Sequence, residues 1–485
     1  LKPPAPARAA GRGMLSSAAP LLPLLLGGPG APPLPPQFPP YYEVRYQTQW
    51  VDHFNGQNRA TFQHRYLLNA TWWAGPSAPI IFYTGAEGTG VEDIFSHSGW
   101  IVDVMARRFS AMVVFGEMRF FGKSMPFGEA ESFRRSPERI GLLSLEQALA
   151  DYMELIAALR RNFSAEESPV VAVGGSLAGT LSFLMRLKYP SAVDMSLAAS
   201  APVLGYVGLT DPYGWNRVAT QTFEQQAAGC PGVVRRGFAS LLAATPEEVT
   251  RAYNTCTPAL PSTAAELSEQ LTGSLAAMAE AAYPLRGSPV VAACAALAGR
   301  SGPGLFAPLL VKPGQCLNIT GLATRRLGAA APRRPPVPGA ATATEAWDYL
   351  ACTEEIHPIS ANNVTDMFPP YNWTVAGLAA WCEQLFGVTP RPSWLPESMG
   401  TADLRRLRGA TSRVIFSSGL LDPWSAQSLR RSLSETLVVV DIPDGSHHSD
   451  LGAPTNPVPS SEDSASLRAA REEELRLLGA WLAEA

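Results

Sequence analysis

The sequence predicts an α/β protein in which a mostly parallel sheet, covered by helices on both faces, is interrupted by a long helical insertion. Three observations carry that prediction. Before Pro202, short apolar runs rich in β-branched residues alternate with stretches of helical spacing, the pattern of strand–helix–strand units. The alternation stops after Pro202 and resumes near Arg413. All six cysteines fall in the interval between the two.

The elements follow in chain order. Strands are expected at Pro79 to Thr84 (PIIFYT), Ala111 to Gly116 (AMVVFG) and Val170 to Val173, with a helix near Leu145 to Asn162 before the last. Pro169 to Gly179 reads PVVAVGGSLAG, an apolar run that breaks into a serine set among glycines. Thr180 to Tyr189 then has helical spacing and stops at Pro190. Strand, tight turn and helix in that order form the nucleophile elbow of an α/β-hydrolase fold, which lifts a serine Oγ above the sheet. Gly174 and Gly175 free the turn of Cβ clashes, although the usual G-x-S-x-G is altered, with Ala178 in the second place after Ser176 and glycine delayed to Gly179.

From about Tyr206 to Arg405 the chain is largely helical and loop-like, and its low-complexity stretch Leu327 to Thr344 reads as an exposed loop. Strands return at Arg413 to Ser418 and Thr436 to Ile442, followed by a helix from about Ser464 to Leu482. The expected organisation is therefore a signal or low-complexity segment at 1–40, a hydrolase domain in two parts at 41–205 and 406–485, and a helical cap at 206–405. At 485 residues the chain exceeds what one core usually serves, which fits a domain with a large insertion.

Composition narrows the class. A net charge of −4 without a basic stripe argues against nucleic-acid binding. Lys2, Arg8 and Arg12 precede a short apolar run, Leu21 to Leu26, in the manner of a secretory signal; a Pro-rich tail is the other reading, and Met14 is a possible start. No later segment is long and apolar enough to span a membrane. Six clustered cysteines suit a disulfide framework, with fifteen pairings open, and the absence of C-x-x-C argues against zinc. Five sequons, at Asn69, Asn162, Asn318, Asn363 and Asn372, join these features in pointing to a glycosylated, exported protein.

Ser176 needs a base from only six histidines. His447 is placed best, in the loop PDGSHH after an apolar strand, and Asp422 lies in LDPW directly after the preceding strand. The order Ser176, Asp422, His447 is that of α/β hydrolases. His447 would take the serine proton and return it to the leaving group, while Asp422 would hold the imidazole tautomer. The backbone N–H of Leu177 is one expected oxyanion donor; the GAEG loop, Gly85 to Gly88, would supply the second at Ala86, and a plain β-turn is the other reading of that loop. His448 is read as structural or pocket-lining rather than as half of a metal site, and no metal or cofactor is called for.

Ten segments carry a resemblance to a known family: VDHFN, FYTGAEG, RFFGKSMPFG, LEQALADY, VGGSLAG, LAASAPVLGY, AWDYLACTE, NNVTDMFP, RPSWLP, and LDPW with GSHHSDL. Together they resemble the lysosomal and secreted serine peptidases that include dipeptidyl peptidase 2 (dipeptidyl peptidase 7), lysosomal Pro-Xaa carboxypeptidase and the thymus-specific serine protease. AWDYLACTE and NNVTDMFP look most like the dipeptidyl branch. The resemblance implies release of N-terminal dipeptides after a penultimate proline or alanine. It also implies a homodimer, residence in lysosomes, secretory vesicles or outside the cell, and a Cys352–Cys382 disulfide. It places the triad on Ser176, Asp422 and His447; Glu87, Trp424 and His448 are the candidate substrate-binding residues. Leu177, Met118 and Gly452 stand where the family usually has tyrosine, histidine and arginine, and the Arg-rich, acid-free stretch from Gly321 to Thr344 leaves Glu87 as the first candidate anion for a substrate ammonium. Two other readings stay open: a Pro-Xaa carboxypeptidase with the same triad, and a non-catalytic peptide-binding glycoprotein.

Overall fold

The computed structural model describes residues 42–85, 87–88, 90–128, 136–319, 340–452 and 463–485. The segment read as a signal, Ala86 and most of the low-complexity stretch lie outside them. Eight strands form one sheet: β1 (Glu43–Trp50), β2 (Thr61–Asn69), β3 (Ile80–Tyr83), β4 (Met112–Gly116), β5 (Val170–Gly175), β6 (Met195–Ala199), β7 (Val414–Gly419) and β8 (Leu437–Ile442). Their order is β1-β2-β4-β3-β5-β6-β7-β8, antiparallel from β1 through β2 to β4 and parallel from there on. This is an α/β-hydrolase fold, and every parallel strand ends on the side where the loops of the site collect.

Alternation along the central strands divides the core in two. Ile80, Phe82, Met112, Val114, Val170 and Ala172 face one side, and Ile81, Tyr83, Val113, Phe115, Val171 and Val173 the other. Helices α1 (Leu145–Asn162) and α2 (Leu177–Lys188) bury their apolar stripes against the first face. The C-terminal helix (Ala465–Leu482) packs on the second. Ser144 caps α1 by accepting the Gln147 N–H, which fixes the start of that helix.

Three strands, β1, β2 and β6, were not among the sequence expectations. β2 buries His64 and Arg65 alongside Phe62, Tyr66, Leu67 and Leu68, and Arg65 is held there by its pairing with Glu117 and Glu92. β1 is the sheet edge, mostly exposed, so its residues carry little apolar signal. The VDHFN and RFFG motifs meet beside this edge. Arg119 and Asp151, both fully buried, are joined by two hydrogen bonds of 2.7 and 2.8 Å, and His53 Nε2 lies 2.7 Å from the same carboxylate.

Between β6 and β7 the chain forms α3 (Gly214–Gln226), α4 (Cys230–Leu242), α5 (Thr263–Glu280), α6 (Pro289–Leu297), α7 (Ala340–Thr353) and α8 (Val375–Phe386), with shorter helices among them. The C-terminal helix is hereafter α9. Three disulfides staple this region: Cys230–Cys294 joins α4 to α6, Cys352–Cys382 joins α7 to α8, and Cys256–Cys316 joins two loops. The region has its own core, built on Trp215, Phe223, Phe238, Leu271 and Leu275, into which Leu421 and Trp424 reach from the loop after β7. One expectation is corrected here: α7 begins at Ala340, inside the stretch read as a loop, because AATAT is a sequence of good helix-forming alanines once it leads into AWDYL. Among the described residues no helix is long and apolar enough to cross a membrane.

Candidate active site

β5 runs through both glycines, Ser176 turns, and α2 starts at once with Leu177. Ser176 sits at φ 61° and ψ −126°, a conformation that costs a non-glycine residue about 1–3 kcal/mol and persists only when its surroundings impose it. They do so in three ways. Ser176 N–H donates to Ala199 O at 2.9 Å, tying the turn to β6. A Cβ on Gly174 would stand 2.2 Å from Ala178 O, and one on Gly179 would stand 2.7 Å from Ala199 O. The altered motif is thus accommodated: Ala178 is fully buried beneath Gly174, and the delayed glycine lets α2 pack closely on β6.

Asp422 and His447 meet. Asp422 begins the short 3₁₀ turn Pro423–Gln427, accepts the Trp424 N–H at 3.0 Å, and places its second oxygen 2.7 Å from His447 Nδ1. Its carboxylate is fully buried, so the pair fixes which imidazole nitrogen is left free. His448 lies between the elbow and the pair. That ring packs where a Cβ on Gly175 would be, 2.7 Å from its Cγ, and lies 4.5 Å from the His447 ring. His448 is itself held by its N–H to Ser200 Oγ at 2.9 Å. Any side chain at position 175 would displace it.

The charges around His447 are acidic. Burial opposes its protonation, but Asp422, with Glu280 and Glu87 behind it, outweighs burial and holds the imidazolium up to about 9. Burial and the neighbouring His447 push His448 down to about 3, so His448 stays neutral. Burial raises Glu280 to about 7, with Asp422 adding to the effect and His447 opposing it. Burial likewise raises Glu87 to about 7, against the pull of its own backbone and of His447. These are the surroundings in which functional carboxyls titrate near neutrality.

Trp424 is 7% exposed, and its indole N–H donates to Glu280 Oε1 at 3.1 Å. Its ring stands edge-on to Trp215 and His357. Glu280 also holds His447 directly, because its backbone carbonyl accepts the His447 backbone N–H at 3.1 Å. Glu280, Glu355 and His357 were not among the sequence candidates. Glu280 did carry a signal: it ends α5, an alanine- and leucine-rich helix, where the dipole disfavours an acid.

The three departures from the family pattern have distinct surroundings. Leu177 is 2% exposed and its side chain joins the core beneath α2. Its N–H opens the helix, where no intrahelical partner exists for it. Met118 is fully buried in the same core. Gly452 offers its carbonyl to Arg471 of α9 at 2.8 Å, and Arg471 also binds Asp450 O and Ser449 O. A cation thus reaches the histidine loop from another element. The residue assigned as second oxyanion donor, Ala86, lies outside the described residues.

Of the sequon asparagines, Asn162, Asn318, Asn363 and Asn372 are exposed. Asn69 is 4% exposed in β2, where its Oδ1 accepts the Thr71 N–H, so its amide lies inside the folded chain. Among the described residues no group of three or more His, Cys, Asp or Glu side chains is arranged to hold a metal ion.

Lysosomal Pro-X carboxypeptidase of Homo sapiens is 33% identical to this chain over 472 residues, covering 91% of this chain and 88% of that one. Thymus-specific serine protease of Homo sapiens is 29% identical over 492 residues, covering 94% and 88%. Among solved structures, a proline iminopeptidase of Mycobacterium smegmatis aligns with TM-score 0.35 and 12% identity, covering 90% of this chain and 100% of that one. The family described as serine carboxypeptidase S28 matches residues 49–474, and the chain belongs to this family of serine peptidases.

Proposed function

We propose that the chain is a serine exopeptidase that releases N-terminal dipeptides, with penultimate proline or alanine, from oligopeptides. Ser176 Oγ attacks the second peptide carbonyl while His447 takes its proton, and Asp422 stabilises the imidazolium. The tetrahedral oxyanion is met by the N–H groups of Leu177 and Ala86. Collapse expels the amine, which leaves with the proton from His447, and water then releases the dipeptide from the acyl-enzyme by the same proton path.

One observation supports amino- over carboxy-terminal specificity: the strongest neighbouring charges on His447 come from Asp422, Glu280 and Glu87, all acidic. Such a site attracts a substrate ammonium and repels a terminal carboxylate. The helices between β6 and β7, residues 206–405 in this reading, act as a cap that admits peptide ends. The disulfides of that region suit an oxidising route through lysosomes, secretory vesicles or the exterior, and a homodimer is the proposed assembly.

A second reading, removal of a residue after proline at the C-terminus, is favoured by the name and 33% identity of the Pro-X carboxypeptidase relative. Purified protein incubated with Lys-Ala and Xaa-Pro fluorogenic amides, and separately with a peptide ending in Pro-Xaa, decides between them. Dipeptide release that disappears in Ser176→Ala is expected. Cleavage of the Pro-Xaa peptide alone would transfer the assignment to the second reading, and neither turnover nor labelling by a serine-directed phosphonate would sink both.

A further inference from the structure

The motif FYTGAEG does more than supply a loop, because its two polar side chains ahead of the glycines reach the nucleophile turn. β3 ends at Tyr83, in register with Val173 of β5, and one residue later Thr84 N–H donates to Val173 O at 3.0 Å. Gly85 then lies against the end of β4, where a Cβ would stand 2.4 Å from Gly116 O, while β5 runs on through Gly174 and Gly175 to Ser176. The Gly175 N–H is met by a side chain: it donates to the Tyr83 hydroxyl at 3.3 Å. On the far side of Ser176, Thr84 Oγ1 donates to Ala178 O at 2.6 Å, with Val173 O 3.3 Å away.

Packing fixes both side chains. Thr84 is fully buried, Tyr83 is 4% exposed, and the Tyr83 ring stacks on Phe115, with centroids 4.7 Å apart and planes 7° from parallel. Phe115 is itself fully buried in β4 and packed on Phe95. Burial raises the Tyr83 phenol above its ordinary range, so it meets the Gly175 amide as a neutral hydroxyl. Two adjacent residues at the end of one strand thus hold the backbone at Gly175, just before Ser176, and at Ala178, just past Leu177. Between those anchors lie the strained φ of Ser176 and the N–H of Leu177. A strained turn keeps its shape only where surrounding contacts over-determine it.

We propose that Tyr83 and Thr84 are positioning residues of this peptidase: they clamp the elbow from both flanks, so that Ser176 Oγ and the Leu177 N–H are aimed together at one substrate carbonyl. The assignment rests on Ser176 as the nucleophile, and on no particular choice of peptide end. Misplacing a reacting group by about 1 Å costs on the order of 100-fold in rate, so loosening one of two anchors should cost a part of that. Binding should change little, because both side chains are buried.

The test follows the reaction of the full chain with an alkyl fluorophosphonate that carries no peptide portion, in which Ser176 Oγ displaces fluoride from phosphorus as His447 takes the proton. Wild type is compared with Tyr83→Phe, Thr84→Val and Thr84→Ser. Rate constants are normalised to the fraction of chain finally labelled, so a variant that merely unfolds lowers that fraction and not the rate constant. Tyr83→Phe and Thr84→Val should each lower the limiting rate of labelling about tenfold, with the half-saturating probe concentration within about twofold of wild type. Thr84→Ser keeps the hydroxyl and recovers most of the rate, and the two Thr84 variants carry the test if Tyr83→Phe does not fold. Unaltered limiting rates in Tyr83→Phe and Thr84→Val, with or without a smaller labelled fraction, would overturn the proposal. So would a Thr84→Ser chain as slow as Thr84→Val, or an effect confined to the half-saturating concentration. Wild type that takes up no label at Ser176 would refute the nucleophile assignment itself, and the clamp with it.

Discussion

The strands of the sheet carry no cysteine, whereas the region between β6 and β7 holds all three disulfides. The sheet needs none: its strands β3 to β7 are buried on both faces, and its parallel hydrogen-bond ladder continues from β4 to β8. The helical region closes a smaller core and gains from cross-links that restrict its unfolded chain. The two regions also contribute different chemistry. Ser176, Asp422 and His447 sit at strand ends, while Glu280, Glu355 and His357 come from the helical side. In the proposed mechanism the bond-making groups stand at the ends of the sheet strands, and the stapled insertion supplies Glu280, an acidic neighbour of His447.

The largest effect should come from the sheet side. Ser176→Ala is expected to lower kcat by about 10⁴-fold or more, and Asp422→Asn by about 10³- to 10⁴-fold, measured with a dipeptidyl amide. A milder loss would break the division of labour at its root. Next, replacing Cys230 and Cys294 with serine should remove about 2–4 kcal/mol of stability. Differential scanning should then show the insertion melting ahead of the sheet; one unsplit transition would mean that the regions unfold as a unit.

A smaller effect belongs to the contact between the regions. Glu280 helps to hold His447 protonated, so removing its charge lowers the His447 pKa from its position at about 9. Glu280→Gln should therefore move the acid limb of kcat/KM to lower pH, by about one unit. An upward shift would contradict the assigned geometry. Smallest is a pH dependence within the sheet side. Asp450 and Glu474 are buried near one another, and burial raises both carboxyls, with Arg471 opposing. Groups raised in the folded state contribute stability that is complete below their unfolded pKa and is lost as pH rises through the folded value. Thermal stability should thus decline from mildly acidic pH toward neutrality, and Glu474→Gln should flatten that decline by about 1 kcal/mol. A slope unchanged by the substitution would place its source elsewhere.

Much of the sheet was legible because apolar strands such as IIFY, MVVFG and VVAV leave an unambiguous pattern. β2 was hidden because His64 is buried through a hydrogen bond to the Glu117 carbonyl and Arg65 through ion pairing, neither of which a hydropathy pattern reveals. The pairing of Asp422 with His447 could be anticipated because so few histidines compete and both lie just past strands. Glu280 could not, since its carbonyl and carboxylate meet His447 and Trp424 only through tertiary packing. Leu177 shows the converse. Its neighbour in sequence is Ser176, the proposed nucleophile, yet its side chain is directed into the core, so the substitution alters packing beneath the elbow.

Arg471 ties the last helix to the loop of His447 and His448 through three backbone carbonyls, and is itself paired with Asp463 at 2.8 Å. Helix ends are the parts of a fold that open first on warming. Thermal inactivation should therefore run ahead of global melting, with release of α9 as the event that retires the enzyme. Its working lifetime would then be set by a helix that contains none of the reacting atoms.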